Sequence, residues 1–144
     1  MKAVIPYLNF DGQAEEAMLF YKSVFGGEFA GGGIMYMGNV PGMDNLSEEE
    51  KKRVMHVTLS LGNGLMLMAS DTLPSMGHRL ITGNNLYILL SPDSREEADR
   101  LFQALSEGGK VQMPMQDQFW GDYYGIVVDK FGVQWMINYS QTSS

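Results

Sequence analysis

A chain of 144 residues that is 44% hydrophobic is long enough to form one domain and to bury about two thirds of the surface its unfolded form exposes, so neither disulfides nor a structural metal is needed to stabilise it. It contains no cysteine, which excludes zinc–thiolate sites and thiol nucleophiles. Ten Lys and Arg stand against 17 Asp and Glu, and the resulting formal charge of -7 opposes binding to a phosphate backbone, so no nucleic-acid partner is expected.

The first ten residues, MKAVIPYLNF, lack the apolar core and small-residue cleavage site of a signal peptide, and no apolar run reaches membrane-spanning length. These features predict a soluble, cytoplasmic protein with no membrane partner. Twelve methionines are read first as flexible fillers of an irregular interior, with a methionine-lined ligand cavity as the alternative.

In chain order, residues 3–10 predict a strand, with Pro6 suggesting an edge or an irregularity. Tyr7 on this strand is a candidate ligand contact. Asp11 is in place to N-cap a helix whose Ala14, Ala17, Met18, Tyr21, Val24 and Phe25 recur at helical spacing, with Glu15 and Glu16 in the first turn. Gly26 and Gly27 stop it. Residues 28–37 predict a second strand, and the glycines at 31–33 read as a bulge or bend. They neither follow a strand directly nor open a helix, so they do not form a dinucleotide fingerprint. Residues 39–53 predict a loop with a short solvated helix, with Ser47 and Glu50 at capping-box spacing.

In the next segment, VMHVTLSL, Met55, Val57, Leu59 and Leu61 alternate with His56, Thr58 and Ser60, the mark of a half-buried strand. Its apolar set is expected to face the helix, leaving His56, Thr58 and Ser60 on the opposite, concave face. Asn63 and Gly64 are a strong hairpin signal, with LMLMASD as the returning strand. Residues 72–83, with Pro74, Gly77 and Gly83, read as a linker. Further predicted elements are a strand at 85–90, a helix opened by a capping box at Ser94 and Glu97 and closed by Gly108 and Gly109, a strand at 110–115, an aromatic loop at 116–122, and strands at 123–128 and 133–139. The tail at 141–144 is expected to fray.

The two helices align at one offset up to their closing glycines: Glu15, Glu16 and Ala17 match Glu96, Glu97 and Ala98, and Val24 matches Leu105. Each helix is preceded by one strand and followed by three. The chain therefore reads as an α+β protein of two tandem βαβββ modules, 1–71 and 84–140 within one domain, forming a curved eight-stranded mixed sheet.

The segments PYLNFDG with EEAMLFYKSVFGGEF, VMHVTLSLGNGLMLMASD, DSREEADRLFQALSEGG and QDQFWGDYYGIVVDKFGVQWMINY carry a resemblance to the vicinal oxygen chelate superfamily of glyoxalase I, bleomycin-resistance proteins and extradiol dioxygenases. Within it the chain resembles the PhnB-like branch, also labelled demethylubiquinone-methyltransferase-like. The resemblance implies the glyoxalase-like fold and a homodimer. In the metal-dependent relatives the first and last strands of each half supply His, Glu or Gln ligands; the matching places here fall near Pro6, at Met66 or Met68, near Leu86 and at Ile137. None offers a donor suited to a hard or borderline divalent ion, so no metal and no cofactor are expected.

The remaining candidates each have two readings. His56 is a general acid or base, or a ligand-bonding group, or else a histidine satisfied by its neighbours. Asp71 is a polar anchor at a pocket rim or a turn cap. Gln116, Trp120, Tyr123 and Tyr124 form a mouth closing over a flat or apolar ligand, or a contact between subunits. Asn138 is a pocket amide or a solvent-facing residue. The function expected from these readings is metal-free binding of a small molecule in the sheet cavity. The alternatives are an enzyme acting on a small oxygenated metabolite, with His56 as acid, base or unconventional metal ligand beside Asp71, and an interaction module.

Overall fold

A computed structural model describes residues 1–141; of the expected frayed tail, residues 142–144 lie outside the described residues. The chain divides into two compact units, Met1–Ile81 and the residues from Thr82 onward.

The first unit runs β1 (Tyr7–Phe10), α1 (Ala14–Phe25), β2 (Glu28–Phe29), β3 (Met35–Tyr36), α2 (Glu48–Lys51), β4 (Val54–Gly62) and β5 (Leu65–Asp71). Its sheet has the order β1-β5-β4-β2, with β3 also paired to β4. The second unit runs β6 (Ile88–Leu90), α3 (Arg95–Ser106), β7 (Lys110–Asp117), β8 (Asp122–Val128) and β9 (Gln134–Ser140), and its sheet order is β6-β9-β8-β7. Apart from β3, which has no counterpart in the second sheet, the two orders match strand for strand. In each unit the strand before the helix lies parallel to the last strand, and the remaining neighbours are antiparallel. The two βαβββ modules expected from the repeat are present. Their strands form two sheets rather than one of eight, because each module hydrogen-bonds within itself.

Each helix packs its apolar stripe on its own sheet. Ala14, Ala17, Met18, Tyr21 and Val24 are buried on α1, and Ala98, Leu101 and Leu105 on α3. They meet Val57, Leu59 and Ala69 in one unit and Val127, Trp135 and Ile137 in the other, all fully buried. Full burial of one such side chain contributes about 1.5–3 kcal/mol.

Local chemistry explains where boundaries depart from the sequence reading. β1 starts at Tyr7 rather than residue 3: Pro6 has no N–H, and its carbonyl accepts from the Met68 amide at 3.0 Å just ahead of the strand. The strand expected at 28–37 is two short pieces, because Gly31 and Gly33 take φ of 63° and 85° in a turn between them. Along β4 Val57 and Leu59 are buried toward the helix as expected, but Thr58 on the other face is buried as well, and at the start of the strand Met55 is 38% exposed while Val54 is buried; the β3–β4 register shifts at this point. The Asn63–Gly64 hairpin is as expected, with φ of 54° and 79°. In the second unit β6 spans only Ile88–Leu90, and β7 continues through Gln116 to Asp117, so the aromatic loop shrinks to 118–121.

Asp11 does not cap α1. The N-cap position is Gln13, with no side-chain bond, and the amides of Gly12 and Ala14 donate instead to Asp71 Oδ1 at the end of β5, each at 2.9 Å. Asp11 pairs with Arg53 at 2.8 Å. At the other two helices the sequence signal holds: Ser47 accepts from the Glu50 amide and Ser94 from the Glu97 amide.

Candidate functional site

On a strand successive side chains alternate faces, so register decides which candidates share a surface. In the first unit Tyr7 is opposite Met68, which in turn is opposite Thr58; all three lie on the sheet face turned away from α1, as does His56. There the His56 ring stacks on Tyr7, with centroids 5.8 Å apart, and its Nδ1 lies 3.2 Å from the Tyr7 hydroxyl. Its Nε2 lies 3.0 Å from Thr58 Oγ1. Both partners are hydroxyls, which donate or accept as needed, so either neutral tautomer of the ring is satisfied. His56 and Thr58 border a cleft of about 620 Å³ closed on its other side by the glycine turn at 31–33, Ile34, Met35 and Asn39. That volume suits a small organic ligand, and the cleft presents an imidazole and a hydroxyl beside backbone groups of the turn.

Asp71 belongs to the opposite face. It is 5% exposed, and besides the Gly12 and Ala14 amides it accepts from the Val54 amide through Oδ2 at 2.8 Å. Its carboxylate ties β5 to the start of α1 and the start of β4, and both oxygens are engaged in that task. The unconventional metal pair of His56 and Asp71 is corrected on this ground: the two side chains point to different faces of the sheet.

In the second unit the candidates divide between faces. Gln116 is opposite Tyr124, which is opposite Asn138, so the three form a row on the face turned away from α3. Trp120 joins them edge-on to Tyr124 with centroids 6.5 Å apart, and Phe119 meets Trp120 at 5.0 Å. Asn138 donates to Asp122 Oδ2 at 3.0 Å. Burial, and secondarily the neighbouring Tyr87, raise the Tyr124 hydroxyl above its ordinary pKa, keeping it a neutral donor. Tyr123 is corrected: its side chain turns to the helix, where its hydroxyl donates to Asp99 at 2.5 Å and the Arg95 guanidinium lies 3.8 Å from its ring centroid. The bond to Asp99, helped by burial, raises the Tyr123 pKa. Arg95 also forms a two-bond pair with Asp117 at 2.8 and 3.0 Å, which holds that carboxyl below its usual range.

The places where metal-dependent relatives carry ligands can be tested against this geometry. Met66 and Met68 present thioethers to the helix-free face of the first sheet. Ile137 points to the other side of its own sheet and is fully buried in the core under α3. Among the described residues no three His, Cys, Asp or Glu are grouped to hold a metal ion. The residues present therefore do not fit a hard divalent ion. The glycine turn at 31–33 joins two short strands and opens no helix, so it does not itself form the phosphate cradle of a nucleotide-like cofactor. No described helix is long and apolar enough to cross a membrane.

Residues that sequence reasoning missed include Met35, Ile34 and the glycine turn as walls of the His56 cleft. The three consecutive glycines were the available signal, but they indicate only a bend. A second cleft, lined by Met37, Met43, Met55 and Met76, had no signal beyond the abundance of methionine.

Residues 2–138 match the family model described as 3-demethylubiquinone-9 3-methyltransferase. The chain is 33% identical to the protein YjdN of Escherichia coli strain K12, over 92% of each chain. It is 37% identical to protein PA1353 from Pseudomonas aeruginosa, whose crystal structure superposes with a TM-score of 0.84 over 96% of this chain and 98% of that one. The structure described as a putative 3-demethylubiquinone-9 3-methyltransferase, PhnB protein, from Bacillus cereus is 27% identical, with a TM-score of 0.74 over 94% and 98% of the two chains. A glyoxalase/bleomycin resistance protein/dioxygenase family enzyme from Burkholderia phytofirmans shares the fold alone, at 17% identity and a TM-score of 0.56 over 93% and 96%. With the paired βαβββ modules and a match spanning nearly the whole sequence, the chain belongs to the PhnB-like, 3-demethylubiquinone-9 3-methyltransferase family and has a glyoxalase-like fold.

Proposed function

We propose that this protein binds a small oxygen-bearing molecule in the cleft beside His56, without a metal ion. The observation that supports this most is the pairing of an adaptable hydrogen-bonding unit, His56 between the Tyr7 and Thr58 hydroxyls, with a cleft of about 620 Å³. A carbonyl or hydroxyl of the ligand would exchange bonds with this unit at little cost, since each member can switch between donor and acceptor. Among the described residues no carboxylate hydrogen-bonds to the imidazole, so none of them holds it in one tautomer as a committed general base would be held.

Thermal-shift screening against small oxygenated metabolites tests this reading. A ligand at a hundredfold excess over its Kd adds about 2.7 kcal/mol of stability, which for a chain of this size raises Tm by roughly 5–10 °C. His56→Ala should abolish that shift; absence of any stabilising compound, or an undiminished shift in the variant, would sink the proposal. A second reading, acid–base catalysis by His56 on the same ligand, rests on the same ring. It requires that a stabilising compound be turned over by the native protein and not by His56→Ala.

We also propose that the chain pairs with a second copy. Leu89, Trp120 and Phe119 are 56%, 52% and 96% exposed in the second unit, with Leu89 and Trp120 on the helix-free side, and large exposed apolar side chains of this kind favour a partner surface.

A further inference from the structure

The methionine-lined cleft of the first unit has about 570 Å³ and shares no lining residue with the His56 cleft. Its thioethers come from four separate segments: Met37 in the turn after β3, Met43 in the following loop, Met55 on β4, and Met76 in the turn after β5. Met37 and Leu73 form the deeply buried part at 7% and 2% exposure, whereas Met55 and Met76 are 38% and 62% exposed. Unbranched, polarisable thioethers repack around a hydrocarbon more readily than branched side chains do.

Charge gives the cleft a direction. Its acidic residue, Asp71, has its oxygens engaged by the amides of Gly12, Ala14 and Val54. Its basic residues are His78 and Arg79, both exposed, and among the described residues Arg79 forms no ion pair. An uncommitted guanidinium at the edge of an apolar cleft, on a chain of net charge -7, is suited to an anionic head group. A soft metal cation would be repelled by Arg79 and would leave most of the volume unfilled.

We propose that this cleft binds an amphipathic carboxylate, with its hydrocarbon chain among the methionines and its carboxylate on Arg79. The site is separate from the His56 cleft.

The experiment uses 11-(dansylamino)undecanoate as a fluorescent probe on the full chain, displaced by decanoate or by decanol below their aggregation limits. The native protein should bind one probe saturably. Met76→Glu, a change at an exposed turn, should weaken probe binding at least about tenfold by placing a charge among the thioethers, and Met55→Glu should do the same. Arg79→Ala should weaken decanoate about tenfold through loss of a charge-assisted bond while leaving decanol within about twofold. His56→Ala should leave all of these values unchanged, which separates this outcome from failure of the His56 proposal. Non-saturable probe binding, undiminished affinity in Met76→Glu, or an equal effect of Arg79→Ala on decanoate and decanol would overturn the inference. Near-UV circular dichroism identifies any variant that fails to fold, and Met76→Glu with Arg79→Ala then decides without Met55→Glu.

Discussion

Asp71 shows how a single residue can be misplaced by its neighbours in sequence. A local cap was expected at Asp11 because N-caps usually immediately precede their helix, yet the amides at the start of α1 donate to a carboxylate 57 residues away from Ala14. Asp11, left free of that task, holds Arg53. Since Asp71 satisfies three backbone donors at two of which the bond is buried, Asp71→Ala should destabilise the chain by about 3 kcal/mol, read as a lower midpoint in urea unfolding. Asp71→Asn retains one acceptor oxygen and should lose about half as much. A loss below about 0.5 kcal/mol in Asp71→Ala would show that water replaces the carboxylate. The second unit has an aspartate of similar structural weight in Asp129, whose Oδ1 accepts from the Phe131 and Val133 amides and whose Oδ2 accepts from Trp135 Nε1. Its hold on a buried tryptophan has no local signal in the sequence.

Among elements, the helix ends are the most closely duplicated feature. Gly27 and Gly109 follow α1 and α3, and a Cβ on either would fall on a backbone carbonyl oxygen, that of Ser60 in β4 for one and that of Val128 in β8 for the other. The sequence alignment slips by one residue at this point because Glu107 occupies the C-cap of α3, where α1 has Gly26. Gly26 takes φ of 79° but has open space around its Cβ position, so its demand is conformational. Gly109→Ala should therefore cost about 3 kcal/mol through backbone displacement, against about 2 kcal/mol for Gly26→Ala, whose φ of 79° with ψ of -154° is a backbone conformation that essentially only glycine adopts. Thermal unfolding of the two variants compares them; a smaller loss in Gly109→Ala would contradict the close approach. The helices, β4, β5 and their hairpin were legible because each has a regular period or a specific turn signal. The strands expected at 28–37 and 85–90 are present, but their bounds were not legible, since glycines interrupt the first and the second makes only three ladder pairings.

For the whole molecule, the repeat read from two helices is upheld by two sheets of the same strand order. The proposed self-association belongs at this scale. Sedimentation at micromolar concentration should show a species of twice 16.1 kDa, and Trp120→Glu should shift it toward the single chain if the exposed aromatic side forms the contact. A native protein sedimenting only at 16.1 kDa would refute the dimer.

The sequence by itself determined the duplicated element order and the helix-facing stripes, because these follow from periodicity and turn chemistry within short windows. Tertiary structure alone decided the candidate sites. Adjacent Tyr123 and Tyr124 go to opposite faces by strand alternation, the first to Arg95 and Asp99 and the second to Trp120. Asp71 turns to a distant helix, and four scattered methionines meet around one cleft. The last two depend on contacts between segments far apart in the chain, for which no local pattern codes, whereas alternation separates the two tyrosines and only the packing decides which of them meets the helix.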